Sequence, residues 1–277
     1  MEIQSIIVIA QLTLAEARRR RIVTAALLCA LAVLAVFSTG AFFAGRARTG
    51  TFIEQQVMFM VLTLAGLYAA NFLSVLFAVL LPVDSLSGEI DSGVMQTLAV
   101  KPVHRSAIVI GKWLGNAILV VAYSIVLMAG VVLSVRVLAG FTPLNLARAL
   151  PLILLEVVLL ATVSIAGGTR FSTVTNGILG LGFYGVAFVG GWVEQVGALV
   201  HIEALRNVGV VASLICPADA LWRRAAYELQ PPLTRGTGLP LWTSLGGLPS
   251  GLMVWWALAA VVLILMFGVR IFAKRDL

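Results

Sequence analysis

Residues 57–83 read VMFMVLTLAGLYAANFLSVLFAVLLPV, a continuous apolar run that contains no charged side chain. A helix needs about 20 such residues to cross a hydrocarbon core about 30 Å thick. This run exceeds that length, and it can tilt or extend past the bilayer without strain. It lacks the alternation of lipid-facing and lumen-facing residues that a membrane barrel strand shows. The stretch therefore predicts a transmembrane α-helix.

Comparable runs occupy the rest of the chain, at residues 22–43, 113–135, 149–166, 174–193 and 252–272. The whole chain is 61% hydrophobic and 11% charged, whereas soluble domains carry about 25% charged residues. Its mean hydropathy is +1.06. We predict an all-α integral membrane protein with six transmembrane helices, forming one domain over residues 1–277. A further run, 208–216, is too short to cross and ends at Pro217, so we expect it to be re-entrant or interfacial.

The basic residues indicate an orientation. The net charge of +7 would suggest a nucleic-acid partner in a soluble protein, but here the basic residues lie at span ends, so we expect none. The basic cluster before the first span places the N-terminus in the cytoplasm. Six crossings then place the loop 84–112, the loop around Arg170 and the C-terminus there as well. We expect a multi-pass protein of the cell membrane with both termini cytoplasmic.

Residues 1–21 differ from the spans. Gln4, Gln11 and Arg18 recur every seven residues and give a narrow polar stripe on a largely apolar helix. Such a segment is typical of a helix lying in the membrane interface. Its anchors among anionic headgroups would be Arg18, Arg19, Arg20 and Arg21. A simple extension of the first span is the alternative.

Polar residues elsewhere give few signs of chemistry. Residues 194–251 form an external excursion before the last span, rich in Pro and Gly after Gln230. Cys29 and Cys216 fall in no metal-binding pattern, and His104 and His201 are too far apart in the topology to share a metal. No motif for nucleophilic or metal-assisted catalysis occurs, so an enzyme in the membrane is not expected.

The loop 84–112 reads DSLSGEIDSGVMQTLAVKPVHRSAIVIGK. Leu86, Ile90, Val94 and Leu98 recur every four residues, which predicts a short amphipathic helix. Pro102 ends that helix, because the residue before a proline is biased away from helical angles. A second helix is expected to start at residues 104–106 and to lead into the third span. The apolar stripe would pack either on lipid headgroups or on a soluble partner.

These residues carry a resemblance. The loop resembles the motif of ABC type-2 transporter permeases. The matching residues are Gly88-Glu89, Gly93, Leu98, the run 101–105 and Gly111-Lys112, although Val94 stands where that family usually has Thr. The layout is also similar, with a basic interfacial helix, six spans and an external excursion before the last. The resemblance implies that 84–112 is a coupling segment docked on a separate ATPase subunit. Its implied coupling residues are Glu89, Asp91, Gly93, Leu98, Pro102, Arg105 and Lys112.

The same resemblance implies an assembly of two ATPase subunits with this chain and a second permease, either another copy or a paralogue. ATP and magnesium would bind to the ATPase, and this chain would hold no cofactor. Its own residues agree with a chain that does not hydrolyse ATP. Gly88 and Gly93 match half of a phosphate-binding loop, but Val94 replaces the lysine that reaches the phosphates.

Glu156 is the only acidic residue well inside a predicted span. Burying a charged carboxylate there costs about 2.5–3.5 kcal/mol, so such residues usually face inward and are used. It could contact cargo on the translocation path, respond to protons or pair with a polar group of another span. A structural hydrogen bond between helices is an equal alternative.

Together these features predict the permease subunit of an ATP-driven ABC transporter, an exporter that couples to its ATPase through 84–112. Two alternatives remain open. One is a secondary transporter or channel that works alone, for which inverted repeats and several buried charges would be expected. The other is a membrane assembly protein without transport.

Overall fold

A computed structural model describes residues 2–46, 51–91, 104–230 and 249–275. Every regular element in these ranges is a helix. In chain order they are α1 (Glu2–Ala17), α2 (Arg21–Arg46), α3 (Phe52–Asp91), α4 (Arg105–Ala139), α5 (Leu146–Gly168), α6 (Thr173–Val200), α7 (Glu203–Ile215), α8 (Ala218–Leu229) and α9 (Gly251–Ala273).

Six of these helices, α2 to α6 and α9, are long and apolar enough to cross a membrane. This confirms the prediction of an all-α integral membrane protein with six spans. The short helices α7 and α8 meet at an angle of 104° around Pro217. Such a bend is typical of a broken span or a re-entrant segment, and the second is what the run 208–216 predicts.

The loop predicted at residue 84 begins later than expected. Residues 84–91 continue α3 instead of starting a separate short helix, so that prediction is wrong at this point. The reason is packing: Leu86 is fully buried against Ile108 and Val109 of α4. The apolar stripe therefore packs against other helices of the same chain, and α3 can continue beyond the bilayer without exposing these side chains to water. The remaining part of the predicted helix, with Val94 and Leu98, lies outside the described residues.

The N-terminal helix is separate from the first span. The chain turns at residues 18–20 between α1 and α2, which rules out a simple extension of the span. Helix α1 packs across α4, where two glycines permit close approach. A Cβ added at Gly111 would lie 2.8 Å from the Ile9 side chain, and one at Gly115 would lie 2.9 Å from the Ala10 carbonyl oxygen. Gly111 and Gly115, four residues apart on α4, thus allow α1 to pack closely against that helix.

Helices α3 and α5 are the most buried spans, whereas α2, α6 and α9 turn most of their surface outward. The main core lies between α3, α4 and α5 and includes Leu67, Val75, Leu127 and Leu160. A second, smaller core lies at one end of the bundle, where Leu86, Ile108, Ile165 and Phe272 meet. We call this the inner end. Ile9 of α1 also packs there, so the start and the finish of the described chain lie on one side.

Candidate functional site

An ion pair between a buried lysine and a part-buried glutamate joins α3 and α4 at the inner end. The Lys112 side chain donates from Nζ to a carboxylate oxygen of Glu89. It also donates to the Ser85 carbonyl oxygen at 2.7 Å, and Lys112 as a residue is only 4% exposed. Asn116 adds a bond from Nδ2 to Ser85 Oγ at 3.1 Å. A buried lysine is tolerated only when its charge is paired and its donors are used, and this arrangement supplies both.

Two arginines link three helix ends at the same place. Arg105, at the start of α4, donates from Nη1 to the carbonyl oxygens of Ala273 and Arg275, at the end of α9. Arg275 donates in turn to the Thr169 carbonyl oxygen at 2.6 Å, just beyond α5. The last carbonyl groups of a helix have no partner within it and carry negative partial charge, so a cation there is favourable. The two guanidinium groups therefore connect α4, α9 and α5.

The basic cluster between α1 and α2 divides into two roles. Arg18, Arg19 and Arg21 are exposed. Arg20 instead turns to its neighbours and lies 2.6 Å from Glu16 and 3.7 Å from Asp84 of α3. The three exposed arginines have the accessibility that an interfacial anchor needs, while Arg20 ties the turn to α3.

The structure brings some of the predicted coupling residues together and leaves others undescribed. Glu89 and Lys112 contact each other, and Arg105 lies at the same end but contacts the C-terminal tail instead. Asp91 is the last residue of α3. The side chain of Asp91 and the predicted residues Gly93, Leu98 and Pro102 lie outside the described residues.

Glu156 is the second predicted site residue that the structure explains. It lies on α5 with no exposed surface, and Asn71 of α3 donates to it from Nδ2 to Oε1 at 3.3 Å. The contact is a polar pair between two spans, one of the roles that the sequence left open. It lies in the bundle interior, away from the inner-end contacts.

A third buried polar group was not predicted. Arg223 of α8 is 2% exposed and lies 2.9 Å from both Glu194 of α6 and Asp219 of α8. It also donates to Ser213 Oγ of α7 at 3.2 Å. These contacts lock the bent pair α7–α8 onto α6. No pattern in the sequence indicates this cluster, because charged residues beyond the end of a span are normally assigned to water.

Metal-binding chemistry finds no support in the described part of the chain. No group of three or more His, Cys, Asp or Glu side chains is placed there to hold a metal ion. Both cysteines are free, Cys29 exposed and Cys216 buried.

The described residues form a six-span helical bundle, which defines a multi-pass membrane protein, and polar contacts join several of its helix ends at the inner end. Comparison with known families is more specific. The model of the ABC-2 family transporter protein matches residues 15–183, and the chain belongs to that family. It is therefore the membrane permease of an ABC transporter. The match covers Glu89, Arg105, Lys112 and Glu156 and stops within α6. No curated protein matches the chain.

Proposed function

We propose that this permease forms the membrane pathway of an ATP-driven exporter and that residues 84–112 dock a separate ATPase subunit. The family supports a permease role, and the motif from Gly88 to Lys112 supports the position of the docking segment. The chain would work with two ATPase subunits and a second permease. ATP and magnesium would be held by the ATPase.

The inner-end contacts carry the proposal. A loop that transmits movement from an ATPase to the transmembrane helices requires that its two flanking helices be held firmly to each other. Glu89 lies near the end of α3 and Lys112 lies within α4, and their ion pair fixes the two helices that flank residues 92–104 to each other. A movement of the docked loop would then shift α3 and α4 as one unit.

Hydrogen bonds at the inner end would transmit the same movement to other transmembrane helices. Arg105 follows the loop directly and binds the end of α9, whose Arg275 binds the end of α5. Because each contact joins a guanidinium to backbone carbonyl groups, it couples helix positions and not only side chains. Displacement at the loop would therefore reach α9 and α5 through two bonds.

The charge distribution supports a cytoplasmic inner end. Arg18, Arg19, Arg105, Lys112 and Arg275 all belong to the end of the bundle where 84–112 begins and returns. Cytoplasmic segments of membrane proteins are enriched in Lys and Arg. Both termini would then be cytoplasmic, in a multi-pass protein of the cell membrane whose remaining partner is the lipid bilayer.

Co-purification with transport tests the proposal. The full chain is expressed with the ABC ATPase that we expect to be encoded beside its gene, solubilised and purified through a tag on the permease. We expect the ATPase to be retained and reconstituted vesicles to show transport that requires ATP hydrolysis. Loss of the ATPase from every preparation, or cargo movement that is independent of ATP, would favour a transporter that works alone and overturn the proposal.

A further inference from the structure

Glu156 and Asn71 face each other in the interior between α5 and α3. Glu156 has no exposed surface, and Asn71 is 2% exposed. Among the described residues, a hydrogen bond from Asn71 Nδ2 to Glu156 Oε1, at 3.3 Å, joins them. A carboxyl group thus meets a neutral primary amide where a cation would be expected.

Each of the two groups has a second oxygen. Asn71 Oδ1 and Glu156 Oε2 are both buried, and neither has a hydrogen-bond partner among the described residues. An ionised carboxylate only accepts hydrogen bonds, so it cannot donate to the amide oxygen. Two buried acceptors would then remain unsatisfied, which is costly in a protein interior.

A single proton on Glu156 would give both of these oxygens a hydrogen-bond partner. With a hydrogen on Oε2, Glu156 can donate to Asn71 Oδ1 while Asn71 Nδ2 donates to Oε1. The result is the ring of two reciprocal hydrogen bonds that a carboxylic acid forms with a primary amide. The two unsatisfied oxygens are the two atoms that this ring requires.

The electrostatic surroundings also disfavour a charged Glu156. Among the described residues, the titratable groups that interact electrostatically with Glu156 are Tyr68 of α3, Tyr184 of α6, Cys216 between α7 and α8, and Asp219 of α8. None of them carries positive charge. The nearest cation to this set in the described residues, Arg223, is already shared by Asp219 and Glu194. An anionic Glu156 would add charge that no cation in the described part of the chain compensates.

We propose that Glu156 is a proton-binding site, occupied as a neutral carboxylic acid that donates a hydrogen bond to Asn71. The bound proton holds α3 and α5 together through the paired ring. Loss of the proton would remove a donor and leave a buried charge, so the helix contact depends on occupancy. Glu156 and Asn71 lie in the bundle interior, and their pairing does not depend on how the ATPase docks.

Infrared difference spectroscopy on the purified full-length protein tests it. The spectrum of the unmodified protein minus that of Glu156→Gln at neutral pH is expected to show the carbonyl stretch of a protonated carboxyl group. That band should move to lower frequency in heavy water. A carboxylate band in its place, or no band that depends on Glu156, would overturn the proposal.

A stability series provides an independent readout. Glu156→Gln can form the same ring of two hydrogen bonds with Asn71, so its unfolding temperature should equal that of the unmodified protein. Glu156→Ala should lower it, and Asn71→Leu should lower it while shifting the infrared band without removing it. A Gln variant that unfolds as early as the Ala variant, or fails to fold, would overturn the proposal.

Glu89→Gln is the matched control, because Glu89 is paired with a lysine instead of an amide. This exchange should remove no protonated-carboxyl band, and it should lower the unfolding temperature. The opposite responses of the two glutamates distinguish a neutral acid from an ion-paired one. Equal responses at both positions would count against the proposal.

Discussion

Lys112 and Glu89 form an ion pair that closes the base of the loop between α3 and α4, with the Lys112 side chain 5% exposed and that of Glu89 17% exposed. Both residues lie in helices, so the pair holds α3 and α4 in a fixed position relative to each other. The stability of this contact depends on both side chains being present, because a buried charge without a partner is costly.

Replacing Lys112 by Met should destabilise the bundle by about 3–5 kcal/mol, since the Glu89 carboxylate is left without its counter-charge. Thermal unfolding in detergent measures the effect. The double variant Lys112→Met with Glu89→Leu removes both charges and should recover most of the loss. A double variant no more stable than the single one would show that the pair is not the source of stability.

Glu89→Lys should uncouple ATP hydrolysis from transport without preventing membrane insertion. Insertion depends on the apolar spans, which the change leaves intact. The new lysine would repel Lys112 and open the base of the loop. Membrane-fraction yield and substrate-stimulated ATPase activity of the reconstituted complex measure the two effects.

The charge-exchanged double variant, Glu89→Lys with Lys112→Glu, is the control for that experiment. It restores opposite charges at the same two positions and should regain part of the coupling. Unchanged stimulated ATPase activity in the single variant would argue against a coupling role for Glu89.

Arg275→Ala should weaken the link between α9 and α5. The lost contact is a charge-assisted hydrogen bond to the Thr169 carbonyl oxygen, worth about 1.5–3 kcal/mol. Thermal unfolding and ATP-dependent transport are the measurements. Lys274→Ala, at the exposed neighbouring position, is the matched control and should leave both unchanged. Equal effects of the two substitutions would contradict a specific role for Arg275.

Gly115→Leu should displace α1 from α4, because even a Cβ at this position would lie 2.9 Å from a backbone oxygen of α1. Overpacking of this kind costs about 1–3 kcal/mol. A cysteine introduced at the buried Ala10 would then react faster with a water-soluble maleimide. Gly182→Leu is the control, since no atom lies within 4 Å of its added Cβ. Unaltered labelling in the Gly115 variant would contradict the packing of α1.

Arg223→Gln should destabilise the contact of α7 and α8 with α6 by about 3–5 kcal/mol, because Glu194 and Asp219 lose their shared counter-charge. Limited proteolysis after Arg206 and thermal unfolding measure the change. Arg206→Gln, at an exposed position of α7, is the matched control for unfolding. Equal stability of the two variants would show that the buried arginine adds nothing.

Hydropathy was sufficient to predict the six spans, because length and apolar content decide whether a helix crosses a bilayer. Glu156 was also found from the sequence, since an acidic residue inside a span is rare. Its partner Asn71 was not, because a neutral amide 85 positions away leaves no periodic signal. Pairing of this kind is set by which helices become neighbours.

The inner-end contacts were predicted only in part. Gly88 and Asp84 interrupt the apolar pattern, so the continuation of α3 to Asp91 was not expected. The pairing of Glu89 with Lys112 follows from that continuation. Arg275 and Arg223 gave no usable signal, because an arginine beyond the end of a span is usually in water.

The unbroken course of α3 has a mechanical consequence. Its 40 residues span about 60 Å at about 1.5 Å per residue, roughly twice the thickness of the hydrocarbon core. A helix of this length that moved as one body would act as a lever with Glu89 at its inner end. A tilt of about 10° around its midpoint moves each tip by about 5 Å. A small push at the base of the loop becomes a displacement of comparable size at the opposite face.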